Sequence, residues 1–117
     1  MNTQIAPVTD QDDVVGHYIN GVHVPDSERL QSVSNPATGE DVRQVAMASS
    51  QTVADAVAAA QAAFPAWRDT PPAKRAQIMF RYKQLLHENA DAIVARITEE
   101  HGKVLNDAMG EFGRGIE

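Results

Sequence analysis

The sequence contains no cysteine, which excludes disulfides, thiolate metal sites and a cysteine nucleophile from all of its 117 residues. Aromatic residues make up only 5%, and much of the apolar fraction is alanine, whose methyl group buries little area. A polypeptide of this length can bury about two-thirds of the surface its unfolded form exposes, but the core available here is thin. No apolar run approaches the roughly 20 residues that span a bilayer, and the first residues are acidic rather than arginine-rich. A soluble, unexported, cytoplasmic protein without a membrane partner is expected. Positive charge is also scarce: 10 Lys and Arg stand against 16 Asp and Glu, a net charge of -6. Phosphate contacts need clustered cations, so a nucleic-acid surface is not expected. The short basic run at Lys74, Arg75, Arg81 and Lys83 reads as a solvated helix face.

Helical periodicity is strongest over residues 71–103. Ile78, Tyr82, Leu85, Leu86, Ile93, Val94 and Ile97 recur at three- and four-residue intervals, with Arg81, Lys83, Gln84, Glu88, Asp91 and Glu99 on the opposite face. The spacing predicts one buried stripe. Thr70 is suited to accept from the first-turn N–H groups, and Pro71 or Pro72 to open the helix. Gly102 can take the left-handed conformation that closes a helix, with His101 and Lys103 beside the free carbonyls. Asn89 followed by Asp91 is an N-cap pattern, so two helices meeting near residues 87–89 are favoured over one long rod.

Before this stretch the pattern is extended. Residues 1–13 mix Thr, Gln, Asp, Pro and Asn without periodicity, and residues 1–16 read as a flexible arm. His17, Tyr18 and Ile19 lead into Asn20-Gly21, and Val22, His23 and Val24 resume the strand, a hairpin signal with a type I′ turn. Pro25, Asp26 and Ser27 end it. A second hairpin is expected from residues 30–34 and 42–48 about the turn Asn35-Pro36-Ala37-Thr38-Gly39-Glu40. Ser49 or Ser50 can cap a helix with Val53, Val57, Ala60 and Phe64 on its apolar stripe, which Pro65 should stop. Trp67 is expected to plug the following corner. A last helix carries Leu105, Ala108 or Met109, Phe112 and Ile116 on one side.

The residues that could carry chemistry do not assemble into a site. His17, His23, His87 and His101 lack metal-ligand spacing. Glu99, Glu100 and Glu111 could each act as a base, but no second group accompanies them, and solvated helix surface is the expected reading. Residues 110–115, GEFGRG, follow a helical pattern instead of a strand and have the wrong glycine spacing for a dinucleotide fingerprint, and Gly102-Lys103 lacks the rest of a P-loop.

The order of the signals is nonetheless distinctive. YINGVHV, SNPATGE, TVADAVAAAQAAFPAWRDTPPAKR and TEEHGKVLNDAMGE, spread over residues 18–117, together resemble the N-terminal region of NAD(P)-dependent aldehyde dehydrogenases. AFPAWRDT, AKR at residues 73–75, and EHGKVLNDAMGE with RGIE are most similar to the CoA-acylating methylmalonate-semialdehyde dehydrogenases. The resemblance implies a parent enzyme of α/β fold in which a cysteine attacks an aldehyde, hydride passes to NAD and the thioester is transferred to coenzyme A. It also implies that the catalytic cysteine, the general base and the cofactor-contacting motifs belong to other parts of the parent, so no catalytic, cofactor-binding or metal residue is assigned here. The segment is expected to form two β-hairpins and three or four α-helices. Residues 17–117 would be an incomplete part of the cofactor-binding domain, inert alone, partnered by the remainder of the dehydrogenase polypeptide in a homo-oligomer. Leu105, Phe112 and Ile116 would then lack partners. An aldehyde dehydrogenase without CoA transfer, or a non-catalytic helical interaction module, are the alternatives.

Overall fold

Asparagine tolerates positive φ and glycine adopts it freely, so Asn20 and Gly21, at φ 52° and 76°, close the first hairpin in the computed structural model of the protein. The structure describes residues 14–25 and 28–117. In that hairpin β2 (His17–Ile19) runs antiparallel to β3 (Val22–Val24), with Ile19 opposite Val22 and Tyr18 opposite His23. The second hairpin pairs β4 (Leu30–Ser34) with β5 (Asp41–Ala46). Its turn is held as its residue types require: Asn35 Oδ1 accepts from the Ala37 N–H at 2.9 Å, and Gly39 takes a φ of 76°. β5 ends at Ala46, before the expected limit at residue 48, although Met47 N–H still donates to the Arg29 carbonyl at 2.8 Å.

One strand lies where an arm was expected. β1 (Val14–Val15) pairs parallel to β5, Val14 with Gln44 and Val15 with Val45, giving a three-stranded sheet of order β1-β5-β4. The rest of the expected arm, residues 1–13, lies outside the described residues, as do Asp26 and Ser27. Two valines offer no turn or periodicity signal, so only their partner strand identifies them.

Four helices follow. In α1 (Ser50–Asp69) the Ser49 side chain accepts from Thr52 N–H at 3.0 Å, as a serine N-cap should. The helix does not stop at Pro65. Proline removes only the bond to the Gln61 carbonyl, and the turn beyond it is secured from its far end. There Thr70 Oγ1 donates to the Ala66 carbonyl at 2.7 Å and Thr70 N–H donates to Trp67. Thr70 therefore closes α1 instead of capping α2 (Pro72–Glu88), whose N-cap position is held by Pro71 with no side-chain hydrogen bond. Asn89 marks the break before α3 (Ala90–His101), but its side chain turns back, Nδ2 donating to the Leu85 carbonyl at 2.8 Å. The break falls where the capping pattern placed it; the bond that makes it belongs to the helix behind.

Gly102 ends α3 at φ 80°, its N–H bonded to the Thr98 carbonyl, and a Cβ there would stand 2.8 Å from Pro36 Cγ. The end of α3 is thus pressed against the turn of the second hairpin. α4 (Leu105–Ile116) then packs back on α3.

The core is as thin as the composition implies. Among the described residues the buried apolar side chains are Ala46, Val94 and Ala108, one each from β5, α3 and α4. The accessible surface is 9420 Å², against about 6,200 Å² for a compact monomer of this mass. The radius of gyration is 16.9 Å, where about 13 Å is usual. The expected buried stripe is accordingly split. Its α3 half, Ile93, Val94 and Ile97, is covered, whereas Ile78, Tyr82 and Leu85 on α2 stay exposed because no described element packs over them. Trp67 does not plug its corner either: it is exposed, with the Arg75 guanidinium 6.0 Å from its ring centroid. Of the three residues expected to lack partners, Leu105 is exposed, but Phe112 and Ile116 are half-covered. Phe112 meets the His87 ring edge-on at 6.4 Å.

Gly102→Ala would combine left-handed strain of about 1–2 kcal/mol with the Pro36 contact, while Gly39→Ala meets nothing within 4 Å and carries the strain alone. Amide hydrogen exchange across α3 and the second hairpin should accelerate more for Gly102→Ala than for Gly39→Ala. Equal acceleration would mean that the Pro36 contact holds nothing in place.

Candidate functional site

Four histidines fall on four different elements: His17 on β2, His23 on β3, His87 near the end of α2 and His101 at the end of α3. Among the described residues no three His, Cys, Asp or Glu side chains are grouped to hold a metal. The glycines at 110, 113 and 115 lie within α4, which follows a helix and not a strand, and open space surrounds each. That is no cradle for a dinucleotide, which needs a strand–turn–helix entry and a backbone pocket. Of the basic run, Lys74, Arg81 and Lys83 are exposed, but Arg75 is half-buried against Trp67.

The three glutamates are not merely solvated surface. Arg43 projects from the middle of β5, and its Nη2 donates to Glu99 Oε2 at 2.6 Å while its Nε lies 3.3 Å from Glu100 Oε1. Arg96 Nη1 donates to the same Glu99 oxygen at 2.9 Å. The Arg43 side chain is only 18% exposed and that of Glu99 30%, so this pair is screened less than an ordinary surface pair. Glu111 on α4 pairs with Lys103 in the α3–α4 connection. Hydrogen bonding from Lys103, then its charge, holds the Glu111 carboxyl below the usual glutamate range. In the second hairpin, hydrogen bonds from Ser32 and then Ser34 lower the Asp41 carboxyl in the same way. These groups fasten one element to the next.

Sequence reasoning missed Arg43. Its Glu99 partner lies 56 residues away, and an arginine within an alternating strand looks like any solvent-facing position until the helix across it is known.

Two clefts open on the surface. One, of about 470 Å³, lies between β2 and α1 and is lined by Tyr18, Ile19, Val53, Val57 and Ala60. The other, of about 560 Å³, lies among the Asn35 turn, Thr98, Lys103 and Leu105. The apolar ledge of α1 is made of exposed side chains at helical spacing, Val53, Val57, Phe64 and Trp67, the first two lining the first cleft, and Ile78 and Tyr82 are exposed on one face of α2. Among the described residues this ledge is the candidate packing face.

Residues 23–117 match the aldehyde dehydrogenase family. Malonate-semialdehyde dehydrogenase of Pseudomonas aeruginosa is 55% identical over 101 residues, which cover 86% of this chain and 20% of that protein. The crystal structure of methylmalonate-semialdehyde dehydrogenase from Oceanimonas doudoroffii superposes with a TM-score of 0.85 at 56% identity, over 88% of this chain and 21% of that one. A Sinorhizobium meliloti structure, described as a methylmalonate-semialdehyde dehydrogenase complexed with NAD, gives a TM-score of 0.85 at 38% identity, over 92% and 22% of the two proteins. The sequence therefore spans about a fifth of the length of the relatives it matches.

Replacing Arg43 by Gln removes the charge that Glu99 and Glu100 share. Because the pair is half-buried, the cost should exceed the usual surface value and reach about 1–2 kcal/mol. Amides of β5 and of the last turns of α3 should then exchange roughly tenfold faster, with those of α1 unchanged. Unchanged protection in α3 would show that apolar contacts alone hold the sheet to the helix.

Proposed function

The chain belongs to the aldehyde dehydrogenase family, and on that premise we propose that it serves as the amino-terminal scaffold of a longer, CoA-acylating dehydrogenase. The substrate of that enzyme is malonate or methylmalonate semialdehyde. The observation that carries this reading is the identity of 55–56% with relatives of those names, in a sequence without cysteine or a dinucleotide cradle. The chemistry belongs to the longer protein. There a cysteine thiolate adds to the aldehyde carbonyl, hydride leaves to NAD, and the acyl thioester passes to coenzyme A. NAD in the Sinorhizobium meliloti structure supports the choice of acceptor.

Within that enzyme, residues 17–117 form part of the cofactor-binding domain. The α1–α2 ledge is the face that the remainder of the polypeptide covers, in a cytoplasmic homo-oligomer. What this chain's own residues do is positional: the Arg43–Glu99 pair and the Pro36–Gly102 contact fix the second hairpin on α3, and the ledge presents apolar side chains at helical spacing. A second reading, a helical interaction module that docks on intact subunits, draws on the same exposed ledge.

The full-length product of the gene, supplied with NAD, coenzyme A and either semialdehyde, should form NADH and acyl-CoA in equal amounts, whereas the 117-residue protein alone forms neither. NADH formation with release of the free acid, indifferent to coenzyme A, would replace this reading with a hydrolytic aldehyde dehydrogenase. Turnover by the 117-residue protein would contradict the scaffold assignment outright.

A further inference from the structure

Asn20-Gly21 is the one Asn-Gly pair in the sequence; the other asparagines precede Thr3, Pro36, Ala90 and Asp107. Three features of its setting bear on its chemistry. The pair is exposed, and nothing lies within 4 Å of where a Gly21 Cβ would be. Among the described residues the hairpin it closes has two strands, β2 and β3, which are not joined to the β1-β5-β4 sheet. Its side chains are poorly covered, Tyr18 being 65% exposed and Val22 61%. A two-stranded hairpin of this length is marginal in water, so it opens at little cost.

We propose that Asn20 is a spontaneous deamidation site, gated by opening of the first hairpin. The backbone nitrogen of Gly21 attacks Asn20 Cγ. A new N–C bond forms, the Cγ–Nδ2 bond of the carboxamide breaks, and ammonia leaves with the proton that Gly21 gave up. The resulting five-membered succinimide is hydrolysed by one water at either carbonyl, giving aspartate or isoaspartate at position 20; nothing is oxidised or reduced. Glycine at 21 is essential to the rate, because any Cβ on the attacking residue crowds the ring closure. The approach of the Gly21 nitrogen to Asn20 Cγ is set by Asn20 ψ and χ1, which a closed two-residue turn holds fixed, so the attack geometry is reached when the turn lets go.

The consequence is structural. Aspartate tolerates the left-handed region about as well as asparagine, so that product keeps the turn. Isoaspartate routes the backbone through Cβ and Cγ and adds one atom to a two-residue loop. The Ile19–Val22 and Tyr18–His23 pairings cannot both survive that insertion, because hairpin register is set by loop length. The hairpin borders the cleft between Tyr18, Ile19 and the α1 residues Val53 and Val57, so its loss would disturb one edge of the apolar ledge.

The test is peptide mass mapping of the 117-residue protein during incubation at mildly alkaline pH, with a synthetic peptide of residues 17–24 in the same buffer as the clock. A gain of about one dalton should appear at Asn20, as two chromatographic products, one of which accepts a methyl group from an isoaspartyl methyltransferase. Conversion in the folded protein should lag the peptide and catch up in urea. Gly21→Ala should slow it in protein and peptide alike. The proposal is overturned if Asn20 stays intact in the protein after the peptide clock has run out, or if Asn35, Asn89 or Asn106 converts first. Equal rates with and without urea would overturn the gating.

Discussion

Arg43 reaches from the middle strand of the three-stranded sheet to Glu99 and Glu100 on α3, and the rest of the architecture is arranged about that clasp. Beside it Pro36 sits against Gly102. The buried side chains Ala46, Val94 and Ala108 come one each from β5, α3 and α4. Sheet, third helix and fourth helix therefore meet at one small junction, in which a half-buried ion pair carries a share of the work that a larger domain would give to apolar burial. Charge can hold two elements in register; it cannot close a core.

What lies outside the junction follows from that limit. α1 and α2 are well formed locally, with a serine cap, an alanine-rich interior and proline at the first turn of α2. Yet neither helix contains a buried residue. Their apolar side chains form a ledge that no other described element covers. Under the proposed reading, the remaining polypeptide of a protein about five times longer, as the relatives are, would cover these side chains. Glu99, Glu100 and Glu111, which could have served as bases, are engaged in fastening elements.

Local rules made most of the elements legible. Asn20-Gly21, the 35–40 turn, Ser49, the break at Asn89 and the stop at Gly102 each depend on residues within a few positions of one another, and each appears where its chemistry puts it. Bonds whose partner is chosen by competition were harder to read. Thr70 could cap the helix after it or close the helix before it, and the Ala66 carbonyl won. Pro65 could end α1 or be absorbed near its end, and the secured last turn absorbed it. Contacts at long range left no trace: Val14–Val15 joining β5 in parallel, and Arg43 finding Glu99, depend on which surfaces the fold brings together. Burial of the α2 stripe was legible as a need but not as an outcome, since periodicity states which face seeks cover and not whether the same polypeptide provides it.

The exposed apolar side chains of α1 and α2 are the centre of the proposed reading. Hydroxyl-radical footprinting of Phe64, Trp67 and Tyr82, in the 117-residue protein and in the full-length one, addresses it most directly. Strong labelling of these side chains is expected in the 117-residue protein, with protection of Phe64 and Trp67, at least, in the full-length protein. Labelling that is the same in both would mean that the ledge stays open in the complete enzyme, and that the scaffold role assigned to these helices is wrong.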